Sequence, residues 1–179
     1  MLNAGVGQGG AFVDNDLRDE LDIIALNCTS TIHLAKRALA DLRSRGTGRL
    51  LVTSSIAATM PGSFQAVYNA SKSFVQSFAL AVRNELKDTG ITVTTLMPGP
   101  TDTEFFERAD MLDTPVGQGD KDDPADVARE GYEALMAGKA KVVAGSLKTK
   151  AQAAAAAVLP DSTKAQMHRK MAEPGSADD

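Results

Sequence analysis

The sequence contains no tryptophan, one cysteine and two histidines. A single cysteine, Cys28, excludes an internal disulfide and any zinc site built from several thiolates. With only His33 and His168, imidazole is too scarce for a histidine-rich centre, and no metal is expected. Aromatic residues make up 4% of the chain, too few for a base-stacking platform. Basic charge is not in excess. Nineteen Lys and Arg stand against 23 Asp and Glu, a formal net charge of −4, so the basic face of a general nucleic-acid binder is missing. Long apolar runs are missing too. The longest, Ala153–Leu159, falls far short of the ~20 residues that span a bilayer. The first residues, Met1 to Gly5, show neither the basic start nor the apolar stretch of a signal peptide. These absences together make a cytoplasmic protein, with neither a nucleic acid nor a membrane as partner, the default expectation.

What is present is ordinary globular material. Hydrophobic residues are 43% and charged residues 23% of 179, enough for one domain with a buried core. Residues 1–145 read as the body and 146–179 as an Ala-rich, basic tail that breaks at Pro160 and frays toward its end. Apolar residues at Leu21, Ile24, Ala25, Cys28, Ile32, Ala35 and Leu39 predict a helix over 17–43, capped by Asp14–Asp16. Arg49–Thr53 and Ile91–Met97 read as buried strands, and Lys141–Ala144 as a short third. A second long helix is expected over 66–88. A third starts behind Asp123 with Pro124 as its first residue. Helices alternating with apolar strands predict an α/β fold with a parallel sheet. Charge is uneven. Thr101–Glu133 carries eleven acidic and three basic residues, whereas Leu147–Met171 carries five basic and one acidic. Both read as solvated surface. A sharper alternative docks the basic tail on a neighbour's acidic segment or on an anionic surface.

Two motifs invite chemistry. Gly5-Val6-Gly7-Gln8-Gly9-Gly10 matches the spacing of a phosphate-cradling turn, but that turn needs a strand before it and a helix opening on it. Four residues precede it and no helix start follows, so a flexible turn is expected instead. The second motif is Tyr68-Asn69-Ala70-Ser71-Lys72 at the start of a helix. Tyr68 and Lys72 are four apart and share a face. A phenol titrates near 10, too high for acid–base work at neutral pH, and a nearby ammonium favours phenolate. Bringing it to neutrality takes roughly 4 kcal/mol, a large demand on Lys72 alone; a bound cationic ring would share it. Ser55 closes a strand thirteen residues upstream, placed to donate to a carbonyl oxygen. Asn27 sits in mid-helix inside an apolar stripe. The bland alternative is a Tyr and a Lys on a helix surface.

The ordered set Asn3-Ala4-Gly5, Asn27, Ser54-Ser55, Tyr68-x-Ala70-Ser71-Lys72, Pro98-Gly99 and Thr103 resembles the short-chain dehydrogenase/reductase family over about residues 1–145. The resemblance implies the C-terminal part of a Rossmann-like, doubly wound parallel sheet, starting at the Asn-Ala-Gly motif. The first three βα repeats, on the order of 70–80 residues, would lie upstream of this sequence, in a truncated gene product or a natural half. It implies an NAD(P)-dependent oxidoreductase that interconverts an alcohol and a carbonyl. Tyr68 would be the general acid/base and Ser55 the group that orients the substrate oxygen. Lys72 would lower the Tyr68 pKa and bind the nicotinamide ribose, and Asn27 would hold a relay water. Asn3, Ala4, Gly5, Tyr68, Lys72, Pro98, Gly99, Thr101 and Thr103 would contact the cofactor, NAD or NADP. Ser55, Met60, Phe64, Phe105 and Phe106 would frame a small substrate that is apolar around its carbonyl, if they do more than ordinary packing. The helices over 17–43 and 66–88 resemble those that build a homodimer or tetramer. A non-catalytic fragment that keeps only that association surface is the alternative. Cys28 is expected in the core, and His168 in solvent.

Overall fold

The computed structural model describes residues 1–177. Asp16 caps the first helix, α1 (Leu17–Ile23), by accepting from the Arg18 amide. The helix does not run on uniformly. Ile24–Ser30 widens into a π-helical turn before α2 (Thr31–Arg45) resumes and ends on Gly46 in the left-handed region. The apolar periodicity of residues 17–43 is thus real but hides this widening, which carries Asn27 inward.

Strand β1 (Thr47–Thr53) starts two residues before the apolar run that marks it, and β2 spans Gly90–Pro98. Strand β3 is Lys141–Ala144, as its sequence predicts. All pair in parallel in the order β1-β2-β3, with Leu51 opposite Thr94 and Met97 opposite Val143. Leu2 adds one parallel bridge to Val52 on the outer edge of β1. Two long helices connect the strands, α3 (Ala66–Glu85) between β1 and β2 and, after the short α4 (Phe105–Arg108) and α5 (Pro115–Gln118), α6 (Pro124–Met136) before β3.

Side-chain alternation along β1 builds both layers. Leu50 and Val52 face α2 and α3, packing with Ala35, Val75, Ala79 and Val93. Leu51 faces the other way, against Leu96, Val127, Leu135 and Ala144 under α6. The result is the expected α/β architecture, a parallel sheet between helices.

The C-terminal segment departs from the sequence reading. It forms two helices, α7 (Leu147–Ala156) and α8 (Asp161–Ala172), split at Pro160. Ala172 is fully buried against Phe106, Ala109 and Met111. His168 is only 5% exposed, so the expectation of a solvated histidine is overturned. Its Nδ1 donates to the Ser63 carbonyl at 2.9 Å, which satisfies that one ring nitrogen. The acidic segment meets the basic tail of its own chain. Asp122 accepts from the Ser146 amide and the Thr149 hydroxyl, and Lys150 pairs with Glu130 at 2.9 Å. Among the described residues, no helix is long and apolar enough to cross a membrane, and no group of three or more His, Cys, Asp and Glu side chains is placed to hold a metal ion.

Candidate active site

The carboxyl ends of Leu2, β1 and β2 open onto one cavity of about 630 Å³, a size typical of small-molecule sites. This is the edge of a parallel sheet where ligands bind in such folds. Ser55 reaches it because β1 ends at Thr53 and the chain turns into the short 3₁₀ helix Ile56–Thr59, with the Ser55 Oγ accepting from the Ala57 amide. The same hydroxyl donates to the Pro98 carbonyl at 3.4 Å. Tyr68 lies in the first turn of α3, and Lys72 one turn further on. Lys72 is 5% exposed. Its Nζ donates to the Thr53 carbonyl at 3.3 Å and sits 5.7 Å from the Tyr68 ring centre.

Asn27 stands behind this group, 1% exposed. Its Oδ1 accepts from the Val6 amide at 2.9 Å, and its Nδ2 donates to the Val6 carbonyl and the Ser71 hydroxyl. The side chain thereby ties the N-terminal segment to α3, and a π-helical turn at this point fits the habit of such turns to mark functional positions. The flexible turn expected at Gly5–Gly10 is therefore pinned, also through the Gly9 amide to the Ala109 carbonyl at 2.7 Å. Turns follow it and the next helix starts only at Leu17, so no helix opens on it as a phosphate cradle requires. Its glycines serve close approach. A Cβ on Gly5 would stand 2.8 Å from Lys72 Nζ and 3.3 Å from Asn27 Oδ1. One on Gly7 would stand 2.7 Å from the Phe105 ring.

Asn3, Gly5, Ser55, Met60, Tyr68, Lys72, Pro98, Gly99, Thr101, Thr103, Phe105 and Phe106 all line the cavity. Phe105 packs on Tyr68 with ring centres 5.1 Å apart. Ala4, Asn27 and Phe64 do not line it. Phe64 takes a left-handed backbone (φ 64°), packs toward the Phe106 cluster and carries the Arg169 guanidinium 5.0 Å above its ring. It is packing rather than pocket. Among the lining residues that sequence reasoning missed are Gln65, Val116, Gln152, His168, Met171 and Ala172. One signal was there: Ala165, His168 and Ala172 fall at the spacing of a single helical face.

Electrostatics run against the simplest expectation. Burial pushes the Tyr68 phenol up to about 12, with its hydrogen bond to Ser55 acting the other way. Burial likewise pushes the Lys72 ammonium down to about 8. Lys72 was expected to lower the phenol, but desolvation of both groups outweighs an attraction acting from beside the ring. This has a consequence for stability. Between about pH 8 and the ordinary lysine value of 10.5, folded Lys72 has lost a proton that the unfolded chain retains. Stability therefore rises with pH over that window. Urea unfolding at pH 7, 8 and 9 is expected to show the rise, and Lys72→Met is expected to flatten it. An equal slope in both proteins would contradict the burial of the charge.

The parallel α/β sheet is Rossmann-like, and serine, tyrosine and lysine gather at its carboxyl edge. The chain belongs to the short-chain dehydrogenase family, whose family model matches residues 1–111. It is similar to a very-long-chain 3-oxoacyl-CoA reductase from Neurospora crassa, 39% identical over 83 residues, 46% of this chain and 25% of that protein. Among solved structures it matches a short-chain dehydrogenase from Sphingobium yanoikuyae in complex with NADPH, at a TM-score of 0.73 and 24% identity, covering 79% of this chain and 55% of that one. A short chain dehydrogenase/reductase from Burkholderia phymatum in complex with NAD gives 0.71 and 20%, covering 79% and 59%. The chain spans from 25% to 54% of the length of such curated relatives.

Proposed function

We propose that this site interconverts an alcohol and a carbonyl with NAD or NADP as the hydride partner. The observation that supports it most is the convergence of Ser55, Tyr68 and Lys72, from two separate elements, on one cavity. The residues present fit the nicotinamide end of such a cofactor. Gly5 leaves open the spot where Lys72 and Asn27 close in, and Asn3, Pro98, Gly99, Thr101 and Thr103 line the adjoining wall. When bound, the reduced nicotinamide supplies a hydride to the carbonyl carbon. Tyr68 gives the carbonyl oxygen its proton. A phenol near 12 is fully protonated at neutral pH, so it is ready as the acid of the reducing direction. The Ser55 hydroxyl holds the same oxygen in place. Lys72 binds the ribose, and its charge eases return of the proton to Tyr68. Asn27 holds Val6 and Ser71 around them. The apolar walls, Met60, Phe105 and Phe106 among them, suit a substrate that is apolar around its carbonyl. The one buried thiol, Cys28, suits a reducing cytoplasm.

Titrating the chain with reduced nicotinamide mononucleotide, NADH and NADPH tests the cofactor reading, with nicotinamide fluorescence as the signal. All three are expected to bind, since the residues named touch the part they share, and Lys72→Met is expected to weaken each about tenfold, the loss of roughly one charge-assisted hydrogen bond. Binding by none of the three would overturn the reading.

Self-association belongs to the same reading. Leu17, Leu21, Ile24 and Ile32 along α1–α2 and Phe74 on α3 are exposed apolar side chains, which favours a homodimer or tetramer across these helices. Light scattering is expected to give a multiple of the 18.8 kDa chain mass. A monomer at all concentrations would count against it.

A further inference from the structure

The cavity has a second polar feature, away from Ser55 and Lys72. Gln65 stands at the N-cap position of α3 with no capping hydrogen bond from its side chain, three residues before Tyr68 and so about one helical turn from it. It is 7% exposed and lines the cavity, yet its Nε2 has no hydrogen-bond partner. A buried amide donor left unmade is costly, and natural proteins keep few of them. His168 reaches the same cavity from α8. Its Nδ1 faces a backbone carbonyl, Ser63, which can only accept. The proton must therefore sit on Nδ1, and in the neutral ring Nε2 carries a lone pair. Among the described residues the ring's one hydrogen bond is that of Nδ1, which leaves Nε2 free to accept; unlike Gln65 Nε2, it is not a buried unpartnered atom. Burial lowers the His168 pKa and keeps the ring neutral at pH 7. The ring is also held in place. Ser63 donates its hydroxyl to the Ala165 carbonyl at 3.2 Å, so the loop before α3 and helix α8 are tied at two points. The cavity wall around the pair is mostly apolar, with Met60, Met171 and Ala172 close in the lining.

We propose that Gln65 and His168 form a specificity site for a hydroxyl group on the substrate, at a distance from the carbonyl that Tyr68 protonates. The inference rests on the alcohol–carbonyl reading of the same cavity and narrows it to hydroxyketones and diols with an apolar body. A hydroxyl is the group that answers both vacancies. Its oxygen accepts from Gln65 Nε2, and its hydrogen is donated to His168 Nε2. An ether or ester oxygen answers only the first, and an alkyl group answers neither.

Three probes of similar size separate these cases: 4-hydroxycyclohexanone, 4-methoxycyclohexanone and 4-methylcyclohexanone. Each is titrated into the 179-residue chain by ligand-observed NMR. The hydroxyl probe is expected to bind about tenfold more tightly than the methyl probe, the yield of two modest hydrogen bonds, with the methoxy probe between them. Gln65→Met is the first variant, because it removes an unpartnered donor and leaves the packing volume in place. It is expected to bring the hydroxyl and methyl probes together. His168→Phe is the second, and it is expected to erase the gap between hydroxyl and methoxy. Equal binding of hydroxyl and methyl probes by the unaltered chain overturns this inference while leaving the alcohol–carbonyl reading intact. Binding of none of the three overturns both. A hydroxyl preference that survives Gln65→Met assigns the recognition elsewhere and overturns the role of Gln65.

Discussion

Tyr68→Phe is expected to lower ketone reduction by about 10²- to 10⁴-fold, the usual contribution of a positioned general acid. The measurement is NAD(P)H oxidation by a protein that contains this chain and turns over a ketone. The substitution removes one oxygen. It leaves the ring packed at a tilt against Phe105 and the cavity wall unchanged. Nicotinamide affinity should stay within a few-fold of the parent, because Lys72 keeps its bond to the Thr53 carbonyl. A loss of rate with retained affinity is the signature of an interaction made in the transition state alone. Turnover that survives the change would remove Tyr68 from the chemistry. Loss of both rate and affinity would make it a structural residue.

The second large effect is expected at Asn27. Asn27→Leu keeps roughly the size of the side chain and deletes three hydrogen bonds, two to the Val6 backbone and one to Ser71. The Val6 amide and carbonyl are then left to find water or go unpaired beside a buried side chain. An orphaned buried group costs about 1–3 kcal/mol, so destabilisation of roughly 2–4 kcal/mol is expected in urea unfolding. The damage should also be local. Val6 and its neighbours should lose amide-exchange protection well before β1 and β2 do, since Gly9 keeps its own tie to Ala109. Uniform loss of protection across the sheet would mean that Asn27 supports the core rather than the glycine segment.

These two residues differ in how far the sequence reveals them. The Tyr68–Lys72 spacing is itself a statement about geometry, because four residues along a helix return to the same face. Asn27 is visible only as a polar residue in an apolar stripe. Its purpose depends on Val6 and on a π-helical turn, and no local periodicity encodes either. The same contrast holds elsewhere. The strands announce themselves through short apolar runs, and β3 falls where its residues predict. The C-terminal segment does not. Its Ala-rich composition and scattered lysines read as surface, whereas α8 sets His168, Met171 and Ala172 in the cavity wall and buries Ala172 against Phe106, Ala109 and Met111. Small side chains give little hydrophobic signal in a sequence, but they permit close helix approach once a partner surface exists.

The sequence by itself determined the alternation of helices and strands, the parallel α/β class, and the Ser55, Tyr68 and Lys72 set. Those follow from spacing within one element or at its ends, which local geometry controls. Only the tertiary structure decided that the glycine segment is pinned by Asn27, that Phe64 packs outside the cavity, and that a buried His168 lines the same cavity as Gln65. It also decided that burial raises the phenol and lowers the ammonium. Each of these depends on what a distant segment brings into contact. Desolvation and hydrogen-bond satisfaction are properties of those contacts, and the order of residues along the chain does not specify them.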